Sequence, residues 1–228
     1  MVKPFIVGTE NAKDALKVGV EALRRGGSAI DAVEAAIRVV EENPLDHGVG
    51  IGGIPNLLGV VQLDASIMEG RNLRAGAVAA VRGFLHPISI ARKVMEESPH
   101  VLLVGEGAEL FAEAMGFKRH GDLLTERTRE IYQAFLEDAL EKLDESFTWK
   151  DYIIRYVRNY KLRDWYERLV KYHGGTVDVM AMDADGDICS GVSTSGTALK
   201  LPGRVGDSPI IGAGNYCDNR VGAAACTG

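Results

Sequence analysis

The spacing of apolar residues changes just before Thr176, and this change restricts the fold more than any other feature of the sequence. Residues 125–172 repeat apolar side chains at helical spacing. Residues 177–182 have period two instead, and Asp-Ala-Asp-Gly at 183–186 suits a turn into a second apolar run at 188–194. The chain must therefore combine helices with a β-hairpin that begins at Thr176, which excludes an all-helical fold.

The N-terminal half mixes strands and helices. We expect a buried strand at 5–9, a helix at 11–25, and a second helix that Ser28 caps and that ends before Pro44. Further expected elements are strands at 57–63, 65–68 and 75–81, helices at 87–97 and 105–115, and a short strand at 101–104. Asp64 is expected to lie in the tight turn between the first two of these strands. Together these elements predict an α+β fold.

Composition narrows the possible partners. A length of 228 residues with 46% apolar content suits one core, so residues 1–228 are expected to form a single domain. A formal net charge of −6 gives no overall attraction to nucleic acid or anionic lipid. No stretch approaches the roughly 18 apolar residues of a membrane span, and the three cysteines lack CxxC spacing. We therefore expect a cytoplasmic protein with no nucleic-acid and no membrane partner.

Two familiar site patterns fail on context. Gly48, Gly50 and Gly53 match GxGxxG, but a dinucleotide site needs a strand before this motif and a helix after it. Here a helix and Pro44 precede it and Pro55 follows, so we interpret the motif as a turn that allows close backbone approach. The five histidines show neither HxH nor HExxH spacing, and we expect no metal and no cofactor.

A basic, aromatic stretch at 149–172 allows two interpretations. Tyr152, Tyr156 and Tyr160 recur at i, i+4 spacing among lysines and arginines, an arrangement that could stack on nucleic acid. The same spacing fits an amphipathic helix that packs its tyrosines on the body and exposes its charges. We favour the packed helix and keep a basic interaction helix as the alternative.

Thr176 is a candidate nucleophile. A threonine hydroxyl attacks poorly unless an adjacent base takes its proton, and a free α-amine on the same residue is such a base. That amine exists only after backbone cleavage, and Gly174 and Gly175 supply a backbone flexible enough to strain for it. Taken alone, the tetrapeptide His-Gly-Gly-Thr at 173–176 is more often a glycine turn that leads into a strand.

Arg204 and Asp207 are candidate ligands for a small zwitterion. They lie three residues apart on a glycine-interrupted segment, GRVGDSPI at 203–210. A guanidinium binds a carboxylate through two hydrogen bonds, and a carboxylate accepts from an ammonium group, so the pair fits an α-amino acid head group.

Many motifs of the chain resemble, in order, those of the glycosylasparaginase, isoaspartyl peptidase and plant-type asparaginase family of N-terminal nucleophile hydrolases. They are VGTEN, RGGSAIDAVEAAIRVVEENPLD, GVGIGG, QLDASIMEG, RAGAVAAV, HPISIARKVME, SPHVLLVGEGAELFA, the segment from Thr176, STSG, GRVGDSPI, GAG and CTG. Several independent motifs in register are far more specific than any one of them. The resemblance covers nearly the whole chain apart from residues ~118–172.

This resemblance implies a four-layer αββα sandwich and self-cleavage between Gly175 and Thr176. The products would be an α chain, 1–175, ending in a helical linker, 125–172, and the start of a β chain, 176–228. The resemblance implies these roles: Thr176 as nucleophile and, through its amine, base; Thr194 as support for the hydroxyl; Arg204 for the substrate carboxylate; Asp207 for its ammonium; Thr227 and Gly228 as oxyanion hole. The substrate would be an aspartyl side-chain amide, namely glycosyl-asparagine, a β-aspartyl peptide or asparagine, and the enzyme a homodimer of cleaved protomers.

The sequence departs from the family pattern at several positions. Glu10 replaces a tryptophan and Gly48 a serine, which leaves the choice of amide open. Asp178 replaces a glycine two residues after the nucleophile, where a carboxylate could crowd the site or raise the pKa of the Thr176 amine. Family members continue well beyond Gly228, so we expect a C-terminally incomplete domain. A catalytically silent member that binds an aspartate-like ligand remains the alternative function.

Overall fold

The computed structural model describes residues 2–139, 151, 164 and 175–227. The helices are α1 Leu16–Arg24, α2 Ala29–Glu41, α3 Pro87–Glu97, α4 Gly105–Ala114 and α5 Glu126–Ala139, and a 3-10 helix, Glu10–Ala12, precedes α1. The strands are β1 Phe5–Gly8, β2 Leu63–Glu69, β3 Arg74–Val81, β4 Leu102–Val104, β5 Val177–Met182, β6 Ile188–Thr194, β7 Asn215–Asp218 and β8 Gly222–Ala225.

Six of these strands form one sheet in the order β1-β5-β6-β2-β3-β4. Every neighbouring pair is antiparallel except β3 and β4, which are parallel. The remaining strands, β7 and β8, form a separate antiparallel hairpin. The α+β class and the hairpin at the start of the C-terminal segment are thus confirmed.

The two faces of the large sheet are covered differently. Helices α2 and α3 pack on one face, where Val177, Val179 and Ala181 join their apolar residues in a common core. The hairpin of β7 and β8 lies on the other face, against β2, β5 and β6. Because neighbours along a strand point to opposite faces, Asp178 and Thr194 belong to this second surface, which we call the hairpin face.

The described residues thus form a helical layer, a six-stranded sheet and a small second sheet. The four-layer sandwich stays a prediction, as do the single domain and the division into two chains. The predicted helix at 125–172 is described as far as Ala139; apart from positions 151 and 164, the rest, including most of the basic stretch at 149–172, lies outside the described residues. Within the part that is described, no helix has both the length and the apolar character needed to cross a membrane.

The predicted strand at 57–63 was wrong. Asn56 folds this segment into a turn, because its Oδ1 accepts hydrogen bonds from the backbone N–H groups of Leu58 at 2.9 Å and Val60 at 3.1 Å. Gly59 completes the turn at a φ of +75°. An asparagine side chain that bonds to nearby backbone competes with sheet formation, and strand β2 starts only at Leu63.

Helix α2 begins as the sequence predicted and is also tied to the hairpin of β5 and β6. Ser28 and Asp31 form a reciprocal capping box at its first turn. The backbone N–H of Ala29 donates to Oδ2 of Asp183, in the turn after β5, at 3.0 Å. This bond satisfies a helix N-terminal donor across 154 residues of sequence and fixes α2 on the hairpin.

Glu41, the last residue of α2, joins three elements at one buried point. Its carboxylate is fully buried and accepts hydrogen bonds from the Ser193 hydroxyl of β6 at 2.7 Å and from the backbone N–H of Ile88 in α3 at 3.0 Å. Nδ1 of His86 lies 3.3 Å from its second oxygen. Burial raises the pKa of this carboxyl, and the hydrogen bonds from His86 and Ser193 oppose that effect.

We expect the Glu41→Ala variant to lower the free energy of unfolding by about 3 kcal/mol or more, because buried donors lose their acceptor. Chemical denaturation measures the change. Glu21→Ala, on the exposed side of α1 in an ion pair with Arg25, is the matched control and should change the free energy by less than about 0.5 kcal/mol. Equal losses in the two variants would show that Glu41 does not hold these elements together.

Candidate active site

The register of the sheet places Thr176 beside Thr194. Val177, the first residue of β5, pairs with Ser193 of β6, and the same antiparallel register continued by one residue would set Thr176 opposite Thr194. On its other side Thr194 pairs with Asp64 of β2. Both threonines belong to the hairpin face, at the edge where β5 begins and β6 ends.

A relay of hydrogen bonds also links the two threonines through the loop that follows α2. Asn11 Nδ2 donates to Asp46 Oδ2 at 2.9 Å and reaches the carbonyl of Thr176 at 3.5 Å. Asp46 Oδ1 accepts from the N–H of Gly48 at 2.9 Å, and the Gly48 carbonyl accepts from the Thr194 hydroxyl at 3.3 Å. Burial raises the pKa of Asp46. The sequence did not identify Asn11 and Asp46 as site residues.

The glycines at 48–53 serve as the expected close-packed turn. Gly50 has a φ of +59°, and a Cβ added to it would lie 2.1 Å from the Glu41 carbonyl oxygen. A Cβ on Gly53 would lie 2.6 Å from the Cβ of Ser195. Glycine therefore allows this loop to pass between the end of α2 and the end of β6, where Gly48 reaches Thr194.

Arg204 and Asp207 lie on the segment that leaves β6, and both are exposed. A Cβ on Gly196 would meet Arg204 Nη1 at 3.1 Å, so the guanidinium lies close to this glycine. The N–H of Gly196 in turn donates to the Thr194 hydroxyl at 2.9 Å. The structure therefore brings Arg204 to the same end of the sheet as the two threonines.

A buried ion pair supports this segment from below. Lys200 and Asp64 are almost fully buried, and Lys200 Nζ lies 3.8 Å from Asp64 Oδ2 and donates to the Gln62 carbonyl at 3.0 Å. Burial lowers the pKa of Lys200 and raises that of Asp64. The prediction that Asp64 lies in a tight turn was wrong, because Asp64 is a buried residue of strand β2, and its Oδ1 accepts from the N–H of Ala80 at 2.7 Å.

Asp178 carries a second buried carboxylate on the hairpin face. The residue is 4% exposed, and its Oδ1 lacks a hydrogen-bond partner among the described residues. Burial, together with the nearby Asp207 carboxylate, raises the pKa of Asp178 to about 6. The sequence marked this residue as a departure from the family pattern that could crowd the site or raise the pKa of the Thr176 amine.

The remaining residues that the sequence predicted for the site make fewer contacts with the two threonines. Gly175 is exposed and Thr176 partly buried. Thr227 follows β8 and is exposed. The backbone N–H of its neighbour Cys226 donates to the Gly214 carbonyl at 3.0 Å. No hydrogen bond between described residues connects Thr227 to Thr176. Gly228 lies outside the described residues. Over the described ranges, no three His, Cys, Asp or Glu side chains converge as metal ligands would.

Comparison with known proteins gives consistent matches. A family model described as asparaginase matches residues 6–228. The plant-type L-asparaginase of Pyrococcus horikoshii is 44% identical over 219 residues, which are 96% of this chain and 66% of that protein. The N(4)-(β-N-acetylglucosaminyl)-L-asparaginase of Elizabethkingia miricola is 40% identical, covering 99% of this chain and 59% of that protein. The isoaspartyl peptidase/L-asparaginase of Mus musculus is also 40% identical, with 96% and 60% covered. The chain therefore spans two thirds or less of the length of these relatives.

The glycine turn yields a stability prediction. We expect Gly50→Ala to lower the free energy of unfolding by at least about 2 kcal/mol, since the methyl group meets the Glu41 carbonyl and φ is positive. Gly107→Ala in α4, where a Cβ meets nothing within 4 Å, is the control and should be neutral or stabilising by up to about 1 kcal/mol. Denaturant titration of both variants tests this, and an unchanged midpoint for Gly50→Ala would contradict it.

Proposed function

The chain belongs to the asparaginase family, and from this membership we propose that the protein is a threonine amidohydrolase that cleaves the side-chain amide of an aspartyl group. The substrate class is asparagine, a β-aspartyl peptide or a glycosyl-asparagine, in keeping with the names of the relatives. The observation that carries the proposal is the register that sets Thr176 beside Thr194, with Arg204 at the same end of the sheet.

Maturation would begin with the Thr176 hydroxyl. Its oxygen attacks the carbonyl carbon of Gly175, the C–N bond between the two residues breaks, and the amide becomes an ester as the nitrogen takes up the proton. Water then hydrolyses the ester, leaving a carboxylate on Gly175 and a free amine on Thr176. The exposure of Gly175 is compatible with entry of that water.

Turnover would use the amine that maturation creates. The amine accepts the proton of the Thr176 hydroxyl as the oxygen attacks the substrate amide carbon, and returns it to the leaving nitrogen. An acyl-enzyme ester remains, and water hydrolyses it to aspartate. In this scheme Thr194 orients the nucleophile, Arg204 binds the α-carboxylate and Asp207 the α-ammonium, while Thr227 and Gly228 stabilise the oxyanion.

The same family membership supports the architectural predictions. We propose that the whole protein completes a four-layer αββα sandwich, in which the six-stranded sheet and the sheet begun by β7 and β8 form the two central layers. The hairpin already lies face to face with β2, β5 and β6, as that arrangement requires. A homodimer of cleaved protomers belongs to the same proposal.

Cleavage tests the nucleophile directly. We expect mass spectrometry of the full-length protein to show two chains, one of which starts at Thr176. Thr176→Val keeps the shape but removes the hydroxyl, so it should stay uncleaved and lose at least about 10³-fold in asparaginase activity. Thr176→Ser is the matched control, which keeps a hydroxyl and should still cleave.

Three outcomes of this experiment differ in meaning. A wild-type chain that remains intact and inactive yet binds aspartate in calorimetry would support the catalytically silent alternative. An intact chain that neither hydrolyses nor binds would contradict the proposed function altogether. Cleavage in Thr176→Val would assign the nucleophile to another residue.

Arg204 should control substrate affinity. We expect Arg204→Lys to raise KM for asparagine about 10-fold or more, since an ammonium cannot make the paired hydrogen bonds of a guanidinium. Arg220→Ala, at an arginine that is 78% exposed on the small hairpin, is the control and should leave KM unchanged. Steady-state assays with asparagine, a β-aspartyl dipeptide and a glycosyl-asparagine in parallel also identify the preferred amide. An unchanged KM for Arg204→Lys would remove this residue from the binding site.

A further inference from the structure

Asp178 is a buried acid that the proposed reaction does not use. It is 4% exposed, and none of the hydrogen bonds between described residues ends on either of its carboxylate oxygens. Only its backbone is engaged: its N–H donates to the Thr9 hydroxyl at 3.1 Å and its carbonyl accepts from the Thr9 N–H at 3.0 Å. Buried polar groups are normally hydrogen-bonded, so a carboxylate that the described residues leave unpaired is free to accept from a bound group.

The position of Asp178 indicates where such a group would bind. Asp178 lies on β5, two residues after Thr176 in the sequence, and shares the hairpin face with the proposed nucleophile. The negative charge of Asp207 is close enough to raise the pKa of the Asp178 carboxyl. The strands packed beside and over β5, namely β1, β6 and β8, carry no charged side chain, and Glu10 of the 3-10 helix is exposed.

We propose that Asp178 and Asp207 together bind the α-ammonium group of the substrate, which makes Asp178 a residue that selects for a free α-amine. This inference rests on the proposed function, because that function is what places an α-amino acid head group beside Asp207. Two carboxylates without a cation between them repel each other, and a bound ammonium removes that repulsion while donating a hydrogen bond to each.

An ammonium group fits this surface better than a metal ion does. Calcium binds six to eight oxygen ligands, and magnesium binds six in octahedral geometry. Asp178 and Asp207 supply two carboxylates, and the described residues contain no group of three or more His, Cys, Asp or Glu side chains that could hold a metal ion. An ammonium has three donors and needs no fixed coordination geometry. The nearby Arg204 would hold the carboxylate of the same head group, so that both charges of a zwitterion are matched.

Ionisation of Asp178 then governs affinity in a definite pH range. In the uncleaved chain the pKa of Asp178 is about 6, so that its carboxylate is charged above pH 6 and neutral below it. A bound ammonium favours the charged form, so binding weakens as the pH falls through 6. KM for a substrate with an α-ammonium group should therefore rise below pH 6, and this rise should be smaller in Asp178→Asn.

The test compares two substrates that differ only in the α-amine. Asparagine carries the ammonium, and succinamic acid is the same amide without it. We expect Asp178→Asn to raise KM for asparagine about 10-fold, with little change in kcat, and to leave KM for succinamic acid nearly unchanged. Asp185→Asn removes the same charge from the exposed turn of the same hairpin and should alter neither substrate. Asp178→Gly, which lacks the side chain, should resemble Asp178→Asn.

The outcomes separate this inference from the proposed function. Equal changes for both substrates, accompanied by a shift in the acidic limb of kcat/KM, would show that Asp178 acts on the Thr176 amine and would overturn the inference. No change for either substrate would overturn it as well. If the wild type hydrolyses nothing, calorimetry on the uncleaved Thr176→Val protein still tests the role of Asp178. Adding Asp178→Asn to this protein should weaken aspartate binding about 10-fold and leave succinate binding unchanged.

Discussion

The buried Glu41 carboxylate is the contact on which the candidate site depends. Its Oε1 accepts from the Ser193 hydroxyl of β6 and from the N–H of Ile88 at the start of α3, while the backbone carbonyl of Glu41 accepts from the N–H of Ile51 at 2.9 Å. One residue thus fixes a strand, two helices and the glycine turn. Because Gly48 in that turn accepts the hydroxyl hydrogen bond of Thr194, the helical layer sets the position of a side chain on the opposite face of the sheet.

A second buried contact serves the segment after β6. Burying Lys200 and Asp64 carries a desolvation cost, which their mutual attraction and the hydrogen bonds to Gln62 and Ala80 offset. This ion pair orders the backbone near Arg204, because Lys200 lies four residues before it. The exposed side chain of Arg204 therefore extends from an ordered backbone. An arginine on an ordered backbone loses less conformational entropy on binding a carboxylate, which is the role that we propose for Arg204.

Local patterns in the sequence predicted the elements that local forces decide. The period-two run after Thr176, the Ser28 cap and the helix of α3 all follow from spacing and capping. The apolar run at 57–63 wrongly predicted a strand, because hydrogen bonds to the Asn56 side chain fold this segment into a turn. Contacts between distant residues gave no local signal: the bond between Asn11 and Asp46 spans 35 residues, and only the whole sheet brings them to Thr176. The motifs of the family marked Thr194, Arg204 and Asp207 as candidate site residues. The spacing of these motifs does not show which residues the strand register brings together.

Asp178 is costly to the fold, and this cost supports a functional interpretation. Its pKa in the folded protein lies above the usual value, so the folded state binds a proton that the unfolded chain has released between pH 4 and 6. Its contribution to stability therefore falls as the pH rises through this range and is unfavourable at neutral pH. A glycine or an asparagine would avoid that penalty at the same place in β5. The buried Oδ1 of Asp178 lacks a hydrogen-bond partner among the described residues, and the side chain lies on the face of the proposed nucleophile. A bound ammonium group, as we propose, would offset the cost of burying this carboxylate.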